Sequence, residues 1–555
     1  MKKIISFFLA TVMLFAFMAP AASAANAYEY LPTIYIRGNG ETLCYPDGTV
    51  LAATMEDLSL GGEEGGIDKD TIVESAVNIL KPFVLEGMLF DKWDNYGQAI
   101  YDEISPLFKD AGLDYDGNPK AGTGVTKERQ ELKERLPYSK WEYNNKHDYE
   151  FIYDWRLSPY DYVDELHTFI TTIMTTTGKT QVNIWGRCLG GGLLMAYLDK
   201  YGDLGHIKNV MFAQVLSNEA TVISKAFSGQ VEFDAKLVEK YAGQLDYCGR
   251  RGEGVGFVFS DMLNEIVIKT MDFFNQVYVT DAALDTVEDL YNKLYKALMP
   301  AMLHAVGMAT QVNYWTAVAE EDMDAALDLT FGKEGTELRT KYAGLIDKIE
   351  LYRENVASDL DGFYEDLKAN GIHFGFLANY GYLNAPFTKD AELQSDALVS
   401  LTHATFGATV APVCQTLTDD YILQRVAEGK EKYISPDKVV DLSTCVSPDT
   451  TWVVKNAHHN NFGLPFNDIL YSFLNGTNET VDSLGASQFL IYDGETNTIS
   501  ALTAENDCEL EFMTRSTENP TIASRLSAFF RFFAMLLDYM LRLVKGELDF
   551  SGLLG

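Results

Sequence analysis

Basic residues are scarce in this chain: 44 Lys and Arg stand against 80 Asp and Glu in 555 residues, a formal charge of −36. Phosphate affinity is assembled from Lys and Arg contacts, so the deficit excludes nucleic-acid binding by the whole protein and leaves acidity as a solubility feature. Cysteine is sparse as well. The six cysteines, at positions 44, 188, 248, 414, 445 and 508, form no CxxC pair, which argues against zinc or redox motifs and against a disulfide-built scaffold. Packing must then hold the fold. There is also no repeat period and no Pro/Ser-rich linker, so one large domain with insertions is expected rather than a string of modules. Long apolar runs are missing too. Lys2 and Lys3 precede an apolar stretch from Ile4 to Met18 and a small-x-small pattern at Ala22-Ser23-Ala24, too short to span a membrane and shaped like a signal peptide over 1–24. Export is the expectation, without an N-terminal anchor.

What is present is an alternation of strands and helices. Tyr30 to Ile36 reads as a buried strand running into the turn Arg37-Gly38-Asn39-Gly40, a loop able to aim backbone N–H groups. Asp70 is read as the cap of an amphipathic helix, and 93–145 as polar and turn-rich. Phe151 to Tyr153 and Gln181 to Trp185 read as strands, Tyr160 to Thr177 and Gly190 to Tyr201 as helices, the order that builds a parallel sheet. From 247 to 365 the pattern is helical and rich in Met and aromatic residues, a cap insertion whose apolar groups serve either its own core or a lipid-facing surface. Sheet character returns at Ile372 to Tyr380 and Trp452 to Val454, with a helix near Asn467 to Leu474. The chain therefore divides into a core over 25–246, the cap over 247–365, more core over 366–475, a strand-poor polar extension over 476–519 and an amphipathic helix within 520–555. That helix keeps its polar groups on one stripe, and 520–545 would pack on the protein body or lie on a membrane surface.

Chemistry concentrates at Gly186-Arg187-Cys188-Leu189-Gly190. A nucleophile on a sharp turn between strand and helix is held clear of its neighbours, and the small residues Gly186 and Gly190 permit the close approach this demands. Cys188 would sit at a helix N-terminus, whose dipole favours the reactive thiolate. A buried, inert thiol in a glycine-rich turn is the plainer alternative.

Tyr153-Asp154-Trp155-Arg156-Leu157-Ser158-Pro159 resembles the YDWRLxP segment of the lecithin:cholesterol acyltransferase family and its phospholipase relatives. The resemblance covers about Phe151 to Tyr201 and, more loosely, Ile34 to Gly40 and Asp437 to His459. It implies an α/β-hydrolase fold, a lipid-like ester as small-molecule substrate, and a triad in the chain order nucleophile, acid, histidine. The family carries serine at the elbow where this chain has Cys188. There, Gly186 to Gly191 resembles the G-x-C-x-G-G box of polyhydroxyalkanoate synthases. Cysteine keeps the triad logic and makes the acyl-enzyme a thioester.

For the acid, Ser435 to Ser443 resembles the family's acid loop, in which an aspartate is followed three residues later by valine and then by serine; this selects Asp437, with Asp441 and Asp396 as rivals. Cys414 and Cys445 flank that segment and are the candidate disulfide. The base follows one strand later in Asn456-Ala457-His458-His459-Asn460; His459 is preferred and His458 is the alternate. Leu189 after the nucleophile and the Gly38-Asn39 turn are the expected oxyanion donors. This chemistry requires no metal or organic cofactor. Ester hydrolysis is the default outcome. Transfer to another acceptor and a catalytically silent hydrolase-like binding protein are the other two readings.

Overall fold

In the computed structural model the described residues are 30–51 except 40, then 92–244 apart from 136–137, 145, 217–218, 233–240 and 242–243, then 292–504 apart from 294–295, 385–392, 478 and 486, and positions 78 and 82. The expected signal peptide, the helix after Asp70, much of the cap and the terminal helix lie outside them.

Nine strands form the central sheet: β1 (Thr33–Ile36), β2 (Ser139–Trp141), β3 (Asp148–Phe151), β4 (Val182–Cys188), β5 (Ile207–Val215), β6 (His373–Tyr380), β7 (Thr451–Lys455), β8 (Phe489–Asp493) and β9 (Thr498–Ala501). Their spatial order is 9-8-7-6-5-4-1-3-2. Seven strands run parallel, and β2 and β9 close the two edges antiparallel. Successive residues face opposite layers, as the period of two requires. Ile34, Ile36, Ile184, Phe212 and Val453 join the main core, whereas Tyr35, Trp185, Met211, Trp452 and Val454 form a second core on the other face. Both faces being buried explains why these strands read as continuous apolar runs.

Two helices follow the motif region. Helix α1 (Val163–Thr177) carries Asp164 and Glu165 in its first turn and ends on Gly178 at φ 67°, the left-handed stop that glycine tolerates. Helix α2 (Gly190–Tyr201) is buried from Gly190 to Leu198, the central helix behind the elbow. Further along, α3 (Thr221–Ser228) packs against α4 (Glu320–Phe331), and α5 (Phe466–Leu474) covers the second core with Phe466, Leu470, Tyr471 and Phe473. This is an α/β-hydrolase fold.

Some elements differ from the sequence reading. The strand expected at Phe151 to Tyr153 lies at Asp148–Phe151, because Tyr153 and Asp154 already turn to engage loops rather than a neighbouring strand. The extension read as strand-poor holds β8 and β9, a hairpin that extends the sheet; its short run Phe489 to Tyr492 is masked in the sequence by polar flanks. The stretch 93–145, read as surface, buries Phe108, Ala111 and Leu113 in the main core. In the cap segment, residues 296–369 are largely helical, and Ala309, Val312, Trp315 and Ala317 belong to the same core as the sheet.

Candidate active site

Four loops leave the carboxyl ends of β1, β4, β6 and β7, the edge where open parallel sheets bind ligands, and each brings one expected component. At the end of β4, Cys188 has φ 53°, a left-handed conformation that costs a non-glycine residue energy and is held by its surroundings. Gly190 shows how tightly the elbow is packed: a Cβ there would lie 2.4 Å from the Ile36 carbonyl oxygen and 2.7 Å from that of Arg37. Backbone cannot yield as a side chain does, so Gly190→Ala is expected to cost about 1–3 kcal/mol. A fall in melting temperature reads it out, and an unchanged one refutes it.

Gly38 lies directly against the thiol; a Cβ on it would meet the Cys188 Cβ at 2.7 Å and Sγ at 3.2 Å. The Gly38-Asn39 turn is fixed from behind. Tyr153 donates its hydroxyl to the Arg37 carbonyl at 2.8 Å, and Trp155 donates its indole N–H to the Glu41 carbonyl at 3.1 Å. Arg156 is fully buried: it pairs with Asp154 at 2.7 Å and donates to the carbonyls of Asp110 and Ala111 at 3.2 and 3.3 Å. The Tyr-Asp-Trp-Arg motif is thus the brace beneath the turn and the elbow. Asn313, from the inserted segment, adds to it by donating to the carbonyls of Trp155 at 3.1 Å and Leu189 at 3.3 Å.

His459 and Cys188 face each other closely enough for the charge on one to act on the other, and the Arg187 guanidinium acts on the same thiol. The other ring nitrogen of His459, Nδ1, lies 2.7 Å from Asp396 Oδ2. Asp396 is held in turn: Oδ1 accepts the N–H groups of Leu398 at 3.0 Å and Val399 at 2.7 Å, and its carbonyl accepts the His459 N–H at 2.7 Å. Burial opposes charge on Cys188, yet the charges of His459 and the Arg187 guanidinium, with the dipole of the Leu189 N–H, outweigh it and lower the thiol pKa. Burial likewise opposes charge on His459, but the carboxylate of Asp396 and the Cys188 sulfur push it up to about 9. The two shifts run in the same sense, each favouring the charged form: thiolate on Cys188 and imidazolium on His459.

The acid expected at Asp437 is corrected by this geometry. Asp437 is buried against the Lys455 ammonium at 2.9 Å and the Tyr380 hydroxyl at 3.2 Å, a structural ion pair; Asp441 accepts the Tyr421 hydroxyl at 2.7 Å. Asp396, the lower-ranked rival, faces the histidine. The signal that singles it out was in the chain: Asp396-Ala397-Leu398-Val399-Ser400 meets the aspartate, valine, serine spacing in full, whereas Asp437 is followed by Val440 and then Asp441. His458 turns away from the thiol. Its ring packs edge-on to Tyr382 at 6.0 Å, accepts the Asn460 N–H at 3.1 Å, and burial lowers its pKa to about 4. The expected bridge between Cys414 and Cys445 is also corrected: Cys445 is a buried thiol 3.6 Å from Thr451 Oγ1, and Cys414 is exposed.

Sequence reasoning missed the residues that hold the histidine loop. Arg187 donates to the His459 carbonyl and, at 3.2 Å, to Gln214. Gln214 donates to the Asn461 carbonyl at 3.3 Å, and Asn379 to the carbonyls of His458 and Asn461 at 3.1 and 3.2 Å. Each sits at the end of β4, β5 or β6, a position apolar patterning does not mark.

No family model and no curated protein matches the chain. Among solved structures, the crystal structure of the Tle4-Tli4 complex aligns over 91% of this chain and 99% of that one, with 12% identity and a TM-score of 0.24. At that distance the alignment bears on neither site nor activity.

Proposed function

We propose that the protein is an exported acyl-transfer enzyme that cleaves lipid-like esters through Cys188, His459 and Asp396. The observation that carries the reading is His459 held by Asp396 at 2.7 Å through Nδ1, on the loop that faces the strained elbow cysteine. In the proposed cycle the Cys188 thiolate attacks the ester carbonyl carbon, and the N–H of Leu189 with the Gly38-Asn39 turn receives the developing oxyanion. As the tetrahedral adduct collapses, His459 gives its proton to the departing alkoxide and leaves a thioester on Cys188. His459 then takes a proton from water as that water attacks the thioester, releasing the acid and the free thiol. Asp396 orients the imidazole throughout.

The resemblance of Tyr153 to Pro159 to the acyltransferase and phospholipase family supports the lipid-like ester, and the signal-peptide pattern over 1–24 supports export. Intact-mass measurement after incubation with p-nitrophenyl esters of graded chain length tests the reading directly. An acyl adduct on Cys188 is expected; turnover without any adduct would sink it. A second reading, transfer to an alcohol or amine, is favoured by the cysteine itself, since a thioester passes acyl groups readily to such acceptors. Added acceptors would then divert product from the free acid.

The ion pair also sets a pH window. Acylation needs the thiolate and a protonated His459, so its rate is expected to rise through the lowered Cys188 pKa and to fall as pH passes about 9, where His459 loses its proton. A pH–rate profile for the acylation burst checks this. A rate that climbs steadily past pH 9, as for an ordinary thiol, contradicts the pair.

A further inference from the structure

A second chain of polar side chains runs beside the triad. His403 Nε2 lies 2.7 Å from Glu219 Oε2, and His403 Nδ1 lies 2.5 Å from the Ser400 hydroxyl. Serine, histidine and carboxylate in contact suggest a second nucleophilic site, but Ser400 sits at the head of the short helix Leu401–Ala404 within the turn that carries Asp396, not on an elbow that presents its hydroxyl. Its surroundings instead join the two halves of the proposed triad.

On one side, Glu219 follows β5, and Leu216 at the start of that same loop donates its N–H to the Cys188 carbonyl at 3.1 Å. Thr221 fixes the other carboxylate oxygen of Glu219 at 3.2 Å. On the other side, Ser400 closes the turn that carries Asp396. Ser395 and Ser400 are bridged, Asp396 N–H donates to the Val399 carbonyl at 3.2 Å, and Val399 N–H donates to the Asp396 carboxylate at 2.7 Å. We infer that His403 is a positioning residue: paired with Glu219, it straps the acid turn to the nucleophile loop and so sets the orientation of Asp396 toward His459. The inference rests on the triad reading above.

The strap touches none of the three proposed triad side chains, yet it governs an angle. A hydrogen bond misplaced by an ångström costs on the order of 100-fold in rate, and a partial loosening of the Asp396 turn should cost roughly tenfold. The Glu219–His403 pair is mostly shielded, with side-chain exposures of 13% and 25%, so its grip survives ordinary salt.

The test uses the full chain and p-nitrophenyl acetate. His403→Ala is expected to lower kcat about tenfold with KM nearly unchanged, and Glu219→Ala to do the same. The double variant should lose no more than either alone, because both break one strap. His403→Gln, whose amide can donate to Glu219 and accept from Ser400, should recover most of the rate. Melting temperatures confirm that each variant is folded. Full activity in folded His403→Ala overturns the strap, as do additive losses in the double variant or failure of glutamine to rescue. Cys188→Ala and Asp396→Ala run beside them separate the two ideas: if these retain activity the triad reading fails, whereas if they are dead and His403→Ala is not, only the strap fails.

Discussion

Cys188→Ala is expected to lower ester turnover by roughly ten-thousand-fold or more and to abolish the acyl adduct. Removing the attacking atom of a triad leaves only the oxyanion donors and binding contacts to lower the barrier, and these recover a small part of the acceleration. The substitution should leave the fold intact. Cys188 is buried but small, and alanine at φ 53° meets no more strain than cysteine does. Loss of activity with an unchanged melting temperature is therefore the expected pair of results. The measurement also separates an enzyme from a silent hydrolase-like binder: if wild-type protein forms no adduct and Cys188→Ala binds the same ester with the same affinity, the thiol is inert.

The two aspartates should respond to the same substitution in opposite ways. Asp396→Asn keeps the size of the side chain but offers His459 Nδ1 an amide that favours the wrong tautomer, and an equivalent change in serine triads costs about four orders of magnitude in rate. A loss of roughly a thousand- to ten-thousand-fold is expected, with a stability cost smaller than that at Asp437 because His459, unlike Lys455, readily sheds its proton once the carboxylate is gone. Asp437→Asn removes the carboxylate that faces Lys455, whose side chain is 9% exposed against 1% for Asp437. Breaking one partner of a buried pair costs about 3–5 kcal/mol, so this variant should melt at a visibly lower temperature while the folded fraction keeps its rate. Turnover in both variants and a thermal scan decide the matter. Loss of catalysis in folded Asp437→Asn, with Asp396→Asn unaffected, would return the acid to the position first favoured on sequence.

Much of this was legible in the chain because the fold buries both faces of its sheet. The segments read as strands from sequence, Gln181 to Trp185, Ile372 to Tyr380 and Trp452 to Val454, are mainly apolar, and they mark three of the four strands that carry the site. The elbow was readable since steric crowding at Gly186 and Gly190 admits so few residues. The acid was harder. Asp396 and Asp437 both sit in turns where a carboxylate accepts backbone N–H groups, and only the full aspartate, valine, serine spacing, met at Asp396 and broken by Asp441 after Val440, separates the turn that faces the histidine from the one that faces Lys455. The loop-holding roles of Arg187, Gln214 and Asn379 depend on contacts between strands more than 240 or 70 residues from the loop they grip, and no periodicity encodes those.

The grip itself has an evolutionary consequence. Arg187, Gln214 and Asn379 hold the histidine loop by the carbonyl oxygens of residues 458, 459 and 461, groups that every amino acid possesses. Such a fastening is blind to side-chain identity but sensitive to count. Substitution of a loop side chain leaves these three fastenings in place while changing the surface the loop presents to a substrate. Inserting or deleting one residue would move each carbonyl out of reach of its donor and carry His459 away from the thiol. Variation around this histidine is thus channelled into substitution at constant loop length.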